Sequence, residues 1–235
     1  MFKDWTLFEK TILSLSLFVI VIVGIIFKSN FFTLFTALTA VTTTMLLAKG
    51  KKEAYIFFLI CNILYVYVAF NNRYFGEVLL YLFLIIPMCI SSLISWIRHP
   101  NKDTNTVEVN SITRKERMIV YLSIVPLSIG LYFLLRAFNT NELIVSTFTF
   151  VCSLLANYYQ IRRNKMSFYF YVIQDVALLI LWIIPIAKGN LSLLPLIINS
   201  TFNLFFDSYG VYNWKKLEKK QGGNKWKKSY ALLFC

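Results

Sequence analysis

Asp175 lies in the middle of FYFYVIQDVALLILW (Phe168–Trp182), a run with no other charged residue and set in an apolar segment long enough to cross a bilayer. A carboxylate at membrane depth costs roughly 2.5 to 3.5 kcal/mol on insertion scales, so such a group turns toward a cavity or a partner and marks a functional site by default. Phe168 and Tyr171 stand seven and four residues before it, which puts all three on one helix face. A planar ring laid against those aromatics, with a hydroxyl or an amine donated to the carboxylate, is the chemistry this pattern can do. Gln174 and Trp182 flank the same face, and Trp182 fits packing equally well. The bland alternative is an acid paired with a neighbouring helix.

Two further stripes have the same character. Tyr55, Phe58, Asn62 and Tyr65 repeat aromatic and amide groups at helical spacing, and Asn199, Asn203, Phe206 and Asp207 put three polar groups into another apolar run. Polar groups facing lipid are costly, so both stripes are expected to point inward. Asp207 lies nearer the cytoplasmic end of its run, where a loop lysine is one candidate partner. Thr36, Thr39, Thr42, Thr43 and Thr44 are read mainly as small residues that let helices approach closely. Nothing here resembles a catalytic or metal centre. The single histidine, His99, sits in a polar interval beside Pro100 and is expected to be solvated, and neither HExxH nor GxSxG occurs. Three of the four cysteines (Cys61, Cys89 and Cys152) lie in apolar runs as small hydrophobes. No enzyme, metal or cofactor is therefore expected.

The elements that position these residues follow from length and hydropathy. Of the 235 residues, 58% are hydrophobic and 15% charged, too little charge to clothe a soluble domain. Apolar runs place eight spans at about 11–28, 31–48, 54–72, 76–97, 118–137, 142–161, 166–187 and 191–213. With alternating sides, 20 of the 24 Lys and Arg residues fall on the side of the N-terminus; only Lys28, Arg73, Arg136 and Lys188 fall on the other. That asymmetry predicts cytoplasmic termini in a cell inner (plasma) membrane. It also accounts for the net charge of +13 without nucleic acid. The tail from Lys215 to Lys228 is expected to be a disordered basic segment near anionic headgroups.

Compared with itself, the chain aligns spans two to four with spans six to eight at a constant offset of 113 residues. Lys49 then meets Arg162, Tyr55 meets Phe168, Phe58 meets Tyr171, Asn62 meets Asp175 and Gly76 meets Gly189. Copies four spans apart share one orientation, which requires an axis along the membrane normal and a linker helix between the bundles. The expected all-α plan is an extra N-terminal helix (1–30), a first three-helix bundle (31–97), a loop and linker helix (98–140), a second bundle (141–214) and a basic tail (215–235). Solute would sit between the bundles, with Asn62 and Asp175 facing each other, and Pro87 and Pro195 are candidate hinges.

LLAKGKKEAYIFFLICN (46–62), NRYFGEVLLYLFLIIPM (72–88), ILWIIPIAKGNLS (180–192) and YGVYNWKKL (209–217), in this order, resemble the PnuC family of vitamin and nucleoside transporters over roughly residues 31–216. The resemblance implies a full-length SWEET-like arrangement and a homotrimer. It also implies facilitated diffusion of solutes such as nicotinamide riboside, thiamine, riboflavin or deoxynucleosides. Trapping by a cytoplasmic kinase would retain the solute, and proton coupling through the aspartates is the alternative to passive transport. Members that carry nicotinamide riboside typically show WxxWxxxN in the seventh helix. That motif falls on Phe168, Tyr171 and Asp175, so this chain keeps the aromatic character and replaces the amide by a carboxylate. The expected solute-binding set is Phe58, Asn62, Phe168, Tyr171, Gln174, Asp175, Trp182, Asn199 and Asn203.

Overall fold

The structure, a computed structural model, describes residues 5–71, 75–140, 142–187 and 194–233. Its helices are α1 (Leu7–Ile26), α2 (Phe31–Ala48), α3 (Ala54–Asn71), α4 (Phe75–Leu80), a π-helical segment (Tyr81–Ile85), α5 (Ile86–Arg98), α6 (Arg114–Ala137), α7 (Leu143–Ile161), α8 (Met166–Ala187) and α9 (Leu194–Leu233). A short antiparallel pair, β1 (Pro100–Asn101) and β2 (Thr106–Val107), folds back the loop before α6. Among the described residues, six helices are long and apolar enough to cross a membrane: α1, α2, α3, Val78–Arg98, α6 and α7. The described apolar part of α8, Met166–Leu181, is shorter.

Local chemistry sets the helix ends. Thr6 and Glu9 close a capping box on α1, Asn30 accepts from the Phe32 amide at 2.9 Å, and Thr113 accepts from the Glu116 amide at 3.2 Å. Pro87 has no N–H to donate, and just before it the ladder widens so that the Ile86 amide reaches the Tyr81 carbonyl. The basic tail departs from expectation. α9 continues through Lys215–Gln221 as helix, because Lys, Glu and Gln are good helix formers and the Gln221 side chain is tied to the loop. Gln221 accepts from the Val109 amide at 2.8 Å and donates to the Val107 carbonyl at 3.0 Å.

The corners α2–α3 and α7–α8 are built alike, bond for bond, 113 residues apart. Gly50 N–H donates to the Leu47 carbonyl and Lys51 N–H to Leu46; Arg163 N–H donates to Gln160 and Asn164 N–H to Tyr159. Gly50 and Arg163 share a left-handed backbone, φ 68° and 54°. Glycine adopts that conformation freely, whereas Arg163 holds it against steric cost with three side-chain anchors. Its guanidinium reaches the Ser95 hydroxyl (2.8 Å), His99 Nδ1 (2.8 Å) and the Glu108 carbonyl (3.2 Å). His99 is thus packed against Arg163 rather than simply solvated.

α9 packs on α2, and α5 packs on α7. Between them lies an aromatic layer in which Tyr55, Trp96, Phe168 and Trp214 are all essentially fully buried. Trp96 meets Tyr55 edge-on at 4.9 Å, Trp214 tilts against Phe168 at 5.3 Å, and the two indoles meet at 5.5 Å. Phe168 fits only because residue 210 is glycine: a Cβ there would overlap its ring. Gly210→Ala is therefore expected to cost about 1–3 kcal/mol, the usual penalty of overpacking. The check is the melting temperature in detergent, with part of the loss returning when Phe168→Leu is added; a parental melting temperature for Gly210→Ala alone would refute this packing.

Candidate functional site

Above the aromatic layer is a cavity of about 330 Å³, within the range of small-molecule sites. Its wall runs from Ser29 and Thr33, at the α1–α2 connection, down to Leu47 and Asp207. On α7 the lining is Ser146, Thr149, Phe150, Ser153 and Asn157, each 113 residues after a lining residue of α2 (Thr33, Thr36, Ala37, Ala40 and Thr44); Leu34, Thr43 and Leu47 line it from α2 without such a counterpart. Phe58, Cys61 and Tyr65 on α3 match Tyr171, Gln174 and Leu178 on α8 at the same offset. The offset does not extend to the π-helical segment and α5 matched with α9. There Tyr81 and Ile85 pair with Asn199 and Asn203, and Trp96 with Trp214, at 118 residues. The gap-free match read from the sequence thus shifts by five residues at α9.

The wall combines polar and aromatic groups. Asp175, on α8, and Asp207, on α9, are each 5% exposed, and their carboxyls interact directly. Asp207 therefore sits beside the other acid and not with a loop lysine. Asp175 Oδ2, Asn199 Oδ1, Gln174 Oε1, Asn157 Oδ1 and the Tyr171 hydroxyl are buried without a hydrogen-bond partner. Leaving each such group unpaired costs about 1–3 kcal/mol, which a donor-bearing solute would return. The threonines add acceptors: Thr36 and Thr43 donate their hydroxyls to the Phe32 and Thr39 carbonyls at 2.7 and 2.8 Å, which leaves oxygen lone pairs for the cavity. Asn203 Oδ1 lies 3.2 Å from the Thr44 hydroxyl. Phe58, Tyr65, Tyr81 and Phe150 add aromatic surface to the wall, with Tyr65 and Tyr81 rings 4.4 Å apart. The described lining contains no Lys, Arg or His.

The structure thus brings Phe58, Tyr171, Gln174, Asp175, Asn199 and Asn203 to one cavity. Two other expected residues lie elsewhere. Phe168 belongs to the aromatic layer, and Asn62 is buried with Nδ2 unpartnered but is not part of the described lining. The Trp182 side chain lies outside the described residues. Sequence reasoning passed over Tyr81 and the hydroxyl and amide groups of α7. Only the threonine run of α2, carried forward by the repeat offset, pointed to them.

A family model described as nicotinamide mononucleotide transporter matches residues 30–216. The chain belongs to this family, the PnuC family. Over 228 residues it is 25% identical to the nicotinamide riboside transporter PnuC of Neisseria mucosa, which covers 95% of this chain and 86% of that protein. The crystal structure described as the vitamin B3 transporter PnuC superposes with a TM-score of 0.80 at 24% identity, covering 93% of this chain and 94% of that one. That likeness speaks for the fold. Within the PnuC fold, the motif positions 168, 171 and 175 separate by depth: Tyr171 and Asp175 line the cavity, and Phe168 packs beneath it.

Proposed function

We propose that the chain is a multi-pass membrane carrier for a nucleoside-like solute with a cationic ring. Nicotinamide riboside is preferred over 2'-deoxynucleosides, and thiamine is the runner-up of the same charge class. One observation carries this reading: five unpartnered polar atoms and two carboxyl groups line a cavity whose described wall has no cation. Such a wall accepts hydroxyl donors and a positive ring, and repels phosphate. The family model's description names a mononucleotide, and the cavity argues for its dephosphorylated form.

The rest of the reading is a 3+1+3 plan, SWEET-like, with eight crossings. α1 is the extra helix, α2–α5 and α7–α9 are the two bundles, and α6 is the linker. Both termini would be cytoplasmic and the assembly a homotrimer. Transport would be alternating access down the solute's own gradient. A cytoplasmic kinase would then trap the solute, because the phosphorylated product cannot re-enter an acidic cavity. The measurements are calorimetric binding and uptake into liposomes. Nicotinamide riboside is expected to equilibrate without being concentrated, and the mononucleotide to bind at least about 100-fold more weakly. Equal binding of the two would overturn the charge argument, and accumulation driven by a proton gradient would replace facilitated diffusion with coupled transport.

A further inference from the structure

Beneath the cavity the two halves lock each other by the same device. The Trp96 indole N–H donates to the Gln160 carbonyl at 2.9 Å and the Ser95 hydroxyl to Ile161 at 2.7 Å. Reciprocally, the Trp214 indole N–H donates to the Leu47 carbonyl at 3.0 Å and the Asn213 amide to Ala48 at 2.8 Å. The acceptors, 47–48 and 160–161, are equivalent positions in the last turns of α2 and α7, where the Leu47 and Gln160 carbonyls also accept from the Gly50 and Arg163 amides of the corners. The donors, 95–96 and 213–214, are equivalent positions on α5 and α9. Each polar–Trp pair thus caps the first helix of the opposite bundle. The loop after α5 adds one strap to each corner, from Val107 N–H to the Gly50 carbonyl at 3.0 Å and from Asn110 N–H to the Arg163 carbonyl at 2.9 Å.

Bonds that cross between bundles, on a dry aromatic layer directly below the cavity, must break if solute is to leave on the basic side. We infer that Ser95–Trp96 and Asn213–Trp214 form a two-part gate that closes the cavity toward the cytoplasmic, basic face. This rests on the alternating-access reading above. The gate is pseudo-symmetric, so its halves carry similar weight: neither indole alone holds it, and each is released by losing one buried N–H donor.

The test places a single cysteine in the cavity, Ala40→Cys, in a chain whose Cys61, Cys89, Cys152 and Cys235 are replaced by alanine. A membrane-impermeant thiol reagent is applied from the basic side of reconstituted vesicles. Trp96→Phe and Trp214→Phe, which keep a ring and remove the donor, are each expected to raise the labelling rate about five-fold, and together by more than either alone. Ser95→Ala and Asn213→Ala leave both indoles and are expected to raise it about two- to three-fold, so the result does not depend on the tryptophan variants folding. Unchanged labelling in these variants would overturn the gate. The readout needs no solute: faster labelling in a chain that moves no nucleoside would keep the gate and remove the carrier assignment, and parental labelling in a chain that transports would do the reverse.

Discussion

Glu9→Leu is expected to destabilise the fold by about 3 kcal/mol, the lower end of the cost of breaking a buried ion pair. Glu9 is buried at 2% exposure near the start of α1 and gathers donors from three directions. Lys49 Nζ reaches Oε1 at 2.7 Å, the Tyr209 hydroxyl donates to the same oxygen, and the Thr6 amide donates to Oε2 at 2.7 Å. The carboxylate therefore ties α1 to the end of α2 and to α9, the same junction that Trp214 caps. Lys49 keeps 12% side-chain exposure, which is why the lower end of the range applies. The check is a double-mutant cycle of melting temperatures with Lys49→Met. Replacing both partners by apolar groups should recover a good part of the loss, since paired desolvation costs are removed together. Strict additivity of the two single changes would show that the pair is not coupled.

How much of this was legible in the sequence depended on which forces decide each feature. Helix positions were readable because bilayer thickness fixes the length of an apolar run: α2 was expected at 31–48 and spans Phe31–Ala48, and α8 was expected at 166–187 and spans Met166–Ala187. Asp175 was readable because a lone carboxylate in such a run needs a reason. Depth was not readable. Phe168 and Asp175 share a face, but seven residues of helix separate them by roughly 10 Å along the axis, enough to put one in the packed layer and the other in the cavity. The α7 groups were missed because serine, threonine and asparagine in an apolar helix look the same whether they line a cavity or bond their own helix; Asn157 does both, donating to the Ser153 carbonyl at 2.9 Å and leaving Oδ1 free. The shift at α9 was not legible because the self-comparison needed no gap, and only the shared cavity and the paired tryptophans match Tyr81, Ile85 and Trp96 with Asn199, Asn203 and Trp214.

Asp175→Asn is expected to weaken binding of a cationic nucleoside about 10- to 100-fold and to leave a neutral nucleoside of similar size within about five-fold. The magnitude is that of a hydrogen bond or contact to a charged group, about 1.5–3 kcal/mol, against about 1 kcal/mol for a neutral one. The substitution restores the amide of the WxxWxxxN pattern at a position that lines the cavity, so shape is kept and only charge and one acceptor are lost. Asp207→Asn is the control that separates charge from geometry. The two carboxyls interact directly, and removing either one leaves the other to serve a cation. If the pair acts as one site for positive charge, each single change should shift the ratio of cationic to neutral affinity in the same direction, and the double change should abolish the preference for the cation. Calorimetry with nicotinamide riboside and a neutral ribonucleoside reads that ratio directly. An unchanged ratio in Asp175→Asn would make this carboxylate a structural group that holds α8 against α9, and the ring-charge assignment would fall with it.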